Sequence, residues 1–266
     1  MTCTLCAANV VEPFGRALML GSYDVAYYRC SRCGFIRTED PYWLEEAYST
    51  AINGSDVGLV RRNYQLATVA RLVIATFFNA QGRFIDYAGG YGLFVRLMRD
   101  EGFDFAWSDK YCTNLFAQGF ESVESEKGPY ELLTAFEVFE HLADPVEELA
   151  RMLEYSRNIL FATQLLPEPA PSLDKWWYYG PEHGQHIAFH TRRSLTLLAE
   201  RVGLNFYTNG VSMHLFTEKR LSQLVFFALA RYRTARLLAP LVGRRRSLLP
   251  ADYNKTTGSS LNGRDD

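Results

Sequence analysis

Apolar residues fall into short runs that alternate with longer stretches of helical spacing. Asp56 to Phe78 carries Val60, Tyr64, Val69, Leu72, Val73 and Phe77 at that spacing, which predicts a helix packed on a larger body. Phe84–Tyr87 and Phe103–Trp107 then predict buried strands, with a helix from Leu93 to Arg99 between them. Leu132–Phe136 and Asn158–Ala162 repeat the strand pattern around a helix from Pro145 to Tyr155, and Pro145 suits the first turn of that helix. A further helix from Leu195 to Val202 stops at Gly203. Leu204–Thr208 and Val211–Thr217 flank Asn209-Gly210 and predict a closing antiparallel pair. Such alternation predicts a doubly wound α/β fold, its mostly parallel sheet covered on both faces.

The ends of the chain read differently. Residues 1–40 lack a long helical period, and Tyr27–Cys30 predicts a short strand leading into a turn. Residues 41–80 read as a connector, with a short helix from Pro41 to Tyr48, before the long helix. Residues 81–218 form the main domain, 219–250 a C-terminal helix that is apolar and basic, and 251–266 a polar tail expected to lack structure. The C-terminal helix has a plain reading, a solvated end, and a sharper one, a surface for a membrane or a partner. No internal repeat is visible.

Length and composition fit one α/β domain with a small appendage. A formal net charge of −2 gives no support for a broad nucleic-acid footprint. No signal peptide and no run of about 20 apolar residues is visible, so the expectation is a cytoplasmic protein without a transmembrane segment. Nothing in the sequence sets the oligomeric state.

Four of the five cysteines form two pairs, Cys3-x2-Cys6 and Cys30-x2-Cys33. Each C-x2-C turn lets two thiolates converge, and four of them make a closed tetrahedral site for structural Zn²⁺. Gly34 suits the tight turn after the second pair. Cys112 stands alone and reads as a small buried residue.

The segment Asp86-Tyr87-Ala88-Gly89-Gly90-Tyr91-Gly92 ends a strand in an acid and opens a helix through small residues. Small residues let backbone approach a ligand closely at a sheet edge. About 20 residues on, Asp109 follows the next strand, where a carboxylate can accept from ribose hydroxyls.

On these residues the chain resembles the class I methyltransferases that use S-adenosylmethionine (SAM). Their first motif is an acid followed by x-Gly-x-Gly-x-Gly; Asp86, Gly90 and Gly92 match it, and Ala88 stands where the first glycine is usual. The resemblance implies a seven-stranded sheet, with Asp86, Ala88, Gly89, Gly90, Gly92, Asp109 and Glu137 around the cofactor. Adenine-side contacts are expected between Lys110 and Tyr130, with Glu121 and Glu124 as candidates in a stretch that looks abbreviated. A four-cysteine module ahead of such a domain is similar to arrangements in sugar C-methyltransferases and in bacterial enzymes of polysaccharide and natural-product pathways.

Glu137-x-x-Glu140-His141, followed by Asp144-Pro145, resembles the run after the fourth strand of small-molecule members. In quinone-precursor O-methyltransferases a similar run is associated with a divalent ion, which implies Mg²⁺ at Glu137, Glu140 and His141. A plainer role for Glu140 and His141 is to cap and orient the next helix, and His141 is also a candidate general base. The segment from Trp176 to His190 is dense in aromatic residues and histidines. It reads either as a satellite core under a loop or as an acceptor wall made by Trp177, Tyr178, Tyr179 and His190. Methyl transfer to a hydroxyl needs alignment and a base, for which His186 is the first candidate, with His183 and His141 behind it.

The expected function is therefore methyl transfer from SAM to a small molecule, a hydroxyl of a sugar or other biosynthetic intermediate. Two alternatives are a ribosomal RNA methyltransferase whose zinc module touches RNA, and a non-catalytic module that keeps the fold. The first predicts strongly salt-dependent binding; Ala88 is the one feature that hints at the second.

Overall fold

The computed structural model describes residues 2–9, 11–49, 56–122, 128–243 and 245–261. The N-terminal part forms β1 (Val11–Met19), β2 (Tyr23–Cys30) and β3 (Ile36–Thr38), followed by α1 (Leu44–Ala47) and α2 (Leu59–Phe77). The main domain runs β4 (Arg83–Tyr87), α3 (Leu93–Asp100), β5 (Asp104–Ser108), β6 (Leu132–Phe136), α4 (Pro145–Leu153) and β7 (Ile159–Ala162). It continues through β8 (Ala188–Phe189), α5 (Arg192–Arg201), β9 (Asn205–Thr208) and β10 (Met213–Thr217). Three helices close the chain: α6 (Gln223–Leu229), α7 (Tyr232–Leu238) and α8 (Leu249–Thr257).

The main sheet has the order β5-β4-β6-β7-β10-β9. Its first four strands are parallel, whereas β10 runs antiparallel to β7 and β9. Every residue of β7 is buried, as a strand covered on both faces requires. One apolar core lies under α2, α3, α6 and α7, and a second lies under α4 and α5. Both cores are built from the alternating faces of the same strands.

The sheet has six strands among the described residues rather than the seven expected. Beyond β5 a single parallel bridge, Trp107 to Glu121, stands where another strand would extend the sheet. Two backbone bonds flank it, from the Trp107 N–H to the Phe120 carbonyl (2.8 Å) and from the Ser122 N–H to the Trp107 carbonyl (2.7 Å). Glu124 lies outside the described residues.

The C-terminus also differs from expectation. Residues 219–250 form no single helix: the chain breaks at Arg231, whose extended backbone separates α6 from α7. The break is fixed from outside, since the Asn209 side-chain amide donates to the Ala230 carbonyl at 2.8 Å. Beyond Ala251 the chain stays helical to Thr257. The buried Asp252 carboxylate accepts from the Nε and Nη2 of the Arg99 guanidinium, at 2.8 and 2.7 Å, and Lys255 donates to the Gly119 carbonyl. Removing one partner of a buried pair like this costs about 3–5 kcal/mol. A polar tail therefore holds structure through the ion pairs of Asp252 with Arg99 and Arg96 rather than through apolar area.

The N-terminal cysteine region is not a free-standing module. Strand β3 pairs with β8 (Ile36 opposite Phe189), so residues after β7 complete the N-terminal sheet in the order β1-β2-β3-β8. Arg201 of α5 donates to the Thr4 and Leu5 carbonyls, and Thr191 donates to the Cys33 carbonyl at 2.6 Å. A third core joins this sheet to Trp43, Tyr178 and Tyr179. No described helix is long and apolar enough to cross a membrane.

Candidate cofactor and acceptor site

The glycine loop leaves β4 at the carboxyl edge of the sheet. Asp86 is buried, and its carboxylate accepts from the Thr134 hydroxyl of β6 at 2.6 Å. Burial pushes its pKa up to about 7, against the pull of that hydrogen bond and with a smaller push from Asp109. Ala88 has φ +54°, in the left-handed region that favours glycine, which accounts for the usual glycine at this position. Gly92 has φ +83° and starts α3, and a Cβ there would meet the Asn114 side-chain oxygen at 2.6 Å. A Cβ at Gly90 would meet nothing within 4 Å, so open space lies over the loop.

Asp109 closes the loop from β5. One carboxylate oxygen accepts from the Gly90 N–H at 2.9 Å, the other from the N–H groups of Tyr111 and Cys112 at 2.7 and 2.8 Å. The Trp107 indole donates to the Gly90 carbonyl at 2.9 Å. Acid, loop and second acid thus form one braced unit with an open face over Gly90. Glu121 is engaged elsewhere, accepting from Asn114 and from the Gly119 N–H. Burial raises the Cys112 thiol to about 11, which keeps it protonated and a poor nucleophile.

The Glu-x-x-Glu-His run follows β6. Glu137 has φ +55°, is partly exposed, and carries a carboxyl pushed up to about 8 by burial and by Glu140, against the pull of the Arg62 guanidinium. The helix cap falls to Asp144, whose carboxylate accepts from the Val146 and Glu147 N–H groups. Glu140 and His141 are thereby left free of that role. They lie on a 3-10 turn, Phe139–His141, that the chain reaches again after β7: the Ile187 N–H donates to the Glu140 carbonyl at 2.8 Å.

That contact brings His186 to Glu140 and His141. One ligand atom from each lies within 4.8 Å of the others. Glu140 is fully buried; one of its oxygens accepts from the Tyr178 hydroxyl at 2.6 Å and the other has no hydrogen-bond partner among the described residues. The His141 Nδ1 is 2.9 Å from the Gln185 carbonyl and the His186 Nδ1 is 2.7 Å from the Tyr178 carbonyl. A carbonyl only accepts, so both rings carry their proton on Nδ1 and leave Nε2 bare. Burial lowers the pKa of His141 to about 4 and that of His186 well below its ordinary value, so both are neutral near pH 7. His183 is the opposite tautomer: its Nδ1 accepts from the Gln185 N–H at 3.1 Å.

Glu137 is absent from this group of ligand atoms, so the set implied for Mg²⁺ is not the set that converges. Two imidazole nitrogens and one carboxylate also do not fit Mg²⁺, which takes oxygen ligands in near-ideal octahedra.

The aromatic segment divides. Trp177 is 74% exposed. Tyr178 is buried and reaches Glu140, whereas Tyr179 is buried in the third core with its hydroxyl on the Pro171 carbonyl. His190 is also fully buried, beside Phe35 and Phe139, its Nε2 3.3 Å from the Phe139 carbonyl. Tyr179 and His190 thus sit inside the packing rather than on an acceptor wall. Sequence reasoning missed Tyr48, whose hydroxyl is 2.9 Å from the His141 Nδ1, and Arg62, which faces Glu137 and Glu140 and forms a bidentate pair with Asp56. Neither lies in a motif; the helical period of α2 carried no sign that Arg62 faces the site.

The four paired cysteines converge. Cys3 and Cys33 sulfurs are 3.7 Å apart, Cys6 and Cys30 sulfurs 3.6 Å. Four thiolates about 2.3 Å from one zinc ion form a tetrahedron with edges of about 3.8 Å. The two turns are built alike: Ala7 donates to the Cys3 carbonyl and Gly34 to the Cys30 carbonyl, each with positive φ. The donor set and its spacing fit structural zinc.

A family model described as a methyltransferase domain matches residues 60–209. No curated protein matches the chain. Among solved structures, the chain is similar to mitomycin 7-O-methyltransferase, at 14% identity and a TM-score of 0.45, over 66% of this chain and 60% of that one. It is similar to a methyltransferase in calicheamicin biosynthesis, SAH bound, at 17% identity and a TM-score of 0.41, over 68% of this chain and 60% of that one. A third is magnesium protoporphyrin IX methyltransferase from Synechocystis PCC 6803 with bound SAH, at 15% identity and a TM-score of 0.42, over 65% of this chain and 92% of that one. The chain spans 60% of the length of the first two. The family model, however, takes in more than half of the 266 residues, including the glycine loop and the Glu140–His141–His186 cluster, and the chain belongs to the methyltransferase domain family.

Proposed function

We propose that the protein moves a methyl group from SAM to a small-molecule acceptor, a hydroxyl of a sugar or other biosynthetic intermediate. The observation that carries the reading is the position of two constructions on adjacent strands: the braced glycine loop after β4, and the Glu140–His141–His186 cluster reached from β6. Asp86, Ala88, Gly89, Gly90 and Gly92 hold the methionine part, Asp109 the ribose, and Glu137 borders the loop from β6. SAM supplies the activated methyl when bound.

The chain's own residues align the acceptor and receive its proton. His186 is our first choice for the proton. Its Nδ1–H is anchored on a backbone carbonyl, which fixes the ring and leaves Nε2 open. His141 is built the same way and stands second. His183 is left out, because its accepting nitrogen is already used. Trp177 offers an exposed ring for stacking, and Tyr178 acts through Glu140. The four thiolates hold structural zinc that ties the N-terminal sheet to α5.

Calorimetric titration of the full chain with SAM tests the reading first, and the absence of binding sinks it. Methylation assays over sugar nucleotides, phenols and ribosomal RNA then test the acceptor class. Turnover confined to RNA would replace the small-molecule acceptor.

A further inference from the structure

The resemblance implied an oxygen-rich Mg²⁺ site at Glu137, Glu140 and His141, and the structure gathers a different trio. We propose that Glu140, His141 and His186 form a binding site for a borderline divalent transition metal such as Zn²⁺, a second metal site separate from the four cysteines. The proposal rests on the reading that the acceptor is handled at this cluster, and it makes His186 a ligand there rather than a free base.

Three observations carry it. The three ligand atoms lie within 4.8 Å of one another. Donors about 2.1 Å from one ion in a tetrahedral site are about 3.4 Å apart, so side-chain adjustments of about an ångström complete the site. Next, both histidines anchor Nδ1–H on backbone carbonyls, those of Gln185 and Tyr178. Metal-ligating histidines are held in this way: the outer hydrogen bond fixes the tautomer and aims the bare Nε2 at the ion. Finally, Glu140 is fully buried with one oxygen on Tyr178, and the other has no hydrogen-bond partner among the described residues, with the Thr163 hydroxyl and its own N–H as nearby donors that favour its charge. A buried, unpaired carboxylate oxygen is costly, and an ion beside it removes that cost.

The donor set selects the class of ion. Imidazole suits zinc, iron, copper and nickel, whereas magnesium demands oxygen. Three protein ligands leave coordination positions for an acceptor, as in catalytic rather than structural zinc sites. An acceptor with neighbouring oxygen atoms, such as a sugar diol, suits such open positions.

The test is metal stoichiometry on the full chain, stripped with chelator and reloaded with Zn²⁺ or Co²⁺. Two equivalents per chain are expected, and one equivalent in both His186→Gln and Glu140→Gln. With Co²⁺, the equivalent lost in those variants should show d–d absorption without thiolate-to-metal charge transfer, because only the cysteine site supplies sulfur. A large excess of Mg²⁺ should leave both equivalents in place. The proposal is overturned if every bound Co²⁺ carries the sulfur signature, or if both variants, folded by circular dichroism, keep the wild-type stoichiometry. SAM binding measured on the same preparations separates the two ideas. Binding of SAM without the second ion overturns the metal site alone, while two ions without SAM binding overturns the methyl-transfer reading alone.

Discussion

The proposed cofactor side and the proposed acceptor side of this site are built in opposite ways. The proposed cofactor side is mainly one continuous stretch, Arg83 to Asp109, in which strand, loop, helix and strand follow each other and largely brace themselves, with Thr134 of β6 holding Asp86. The acceptor side is assembled from four separate places: Tyr48 after α1, Arg62 on α2, the turn after β6, and the segment before β8. A locally built site tolerates damage elsewhere, while an assembled one depends on each distant contact. Substitutions on the two sides should therefore separate binding from turnover.

The largest expected effect lies on the acceptor side. His186→Gln removes the open Nε2 whether that atom takes a proton or holds an ion. Turnover should fall by roughly 10²–10⁴-fold, the usual worth of a positioned acid–base group. SAM affinity measured by calorimetry should change by less than about threefold, because the glycine loop does not touch His186. If affinity and turnover fell together, the two sides would be one coupled unit and the contrast drawn above would be wrong.

Asp109→Asn makes the reciprocal test on the cofactor side. The carboxylate holds three backbone N–H groups, and the proposal places the ribose beside it. Hydrogen bonds to a charged group are worth about 1.5–3 kcal/mol, so the dissociation constant for SAM should rise about 10- to 100-fold. Turnover at saturating SAM should stay within a few-fold of the wild type. A turnover defect that saturating SAM cannot rescue would break the separation.

The same contrast explains what the sequence could tell. Asp86, the small-residue loop and Asp109 were legible because their spacing is local and strand–helix alternation fixes where they sit. The paired cysteines were legible for the same reason, two short turns with an obvious partner. On the acceptor side the Glu140–His141 run was legible as a motif, but the distant groups it meets were legible only as composition. Nothing local states that His190 enters the core while His186 meets Glu140, because both outcomes depend on the Ile187–Glu140 bond and the β3–β8 pairing. The seventh strand, which among the described residues stands as one bridge, and the ordered α8, held by a distant arginine, share that cause.

Burial of Asp86 gives the cofactor side a pH signature. Its carboxyl is raised from 3.8 to about 7, so between these values the folded chain holds a proton that the unfolded chain has released. Its contribution to stability is complete at the acid end of the window and is lost as pH rises toward 7, with a slope approaching 1.4 kcal/mol per unit. Asp86→Asn keeps an oxygen to accept from Thr134 and cannot ionise. Urea unfolding at pH 5 and pH 7 should therefore show a smaller loss of stability with rising pH in the variant than in the wild type. Parallel behaviour of the two proteins would mean that Asp86 is ionised throughout.

The smallest expected effect is the sharpest test of what Ala88 means. A left-handed alanine costs about 1–2 kcal/mol, and glycine would relieve it. Glycine also loosens the unfolded chain by about 0.4–1 kcal/mol, which offsets most of the gain. Ala88→Gly should therefore shift stability by less than about 1 kcal/mol, read as a change of at most a few degrees in Tm. SAM affinity should hold or improve by a few-fold, since the loop's open face lies over Gly90 and removing a methyl adds space. A wild type without measurable SAM binding, restored by this one change, would mark the natural chain as a fold kept for binding rather than for turnover. An unchanged affinity would mean that the alanine costs the cofactor side only local strain, which the braces from Asp109 and Trp107 are sufficient to hold.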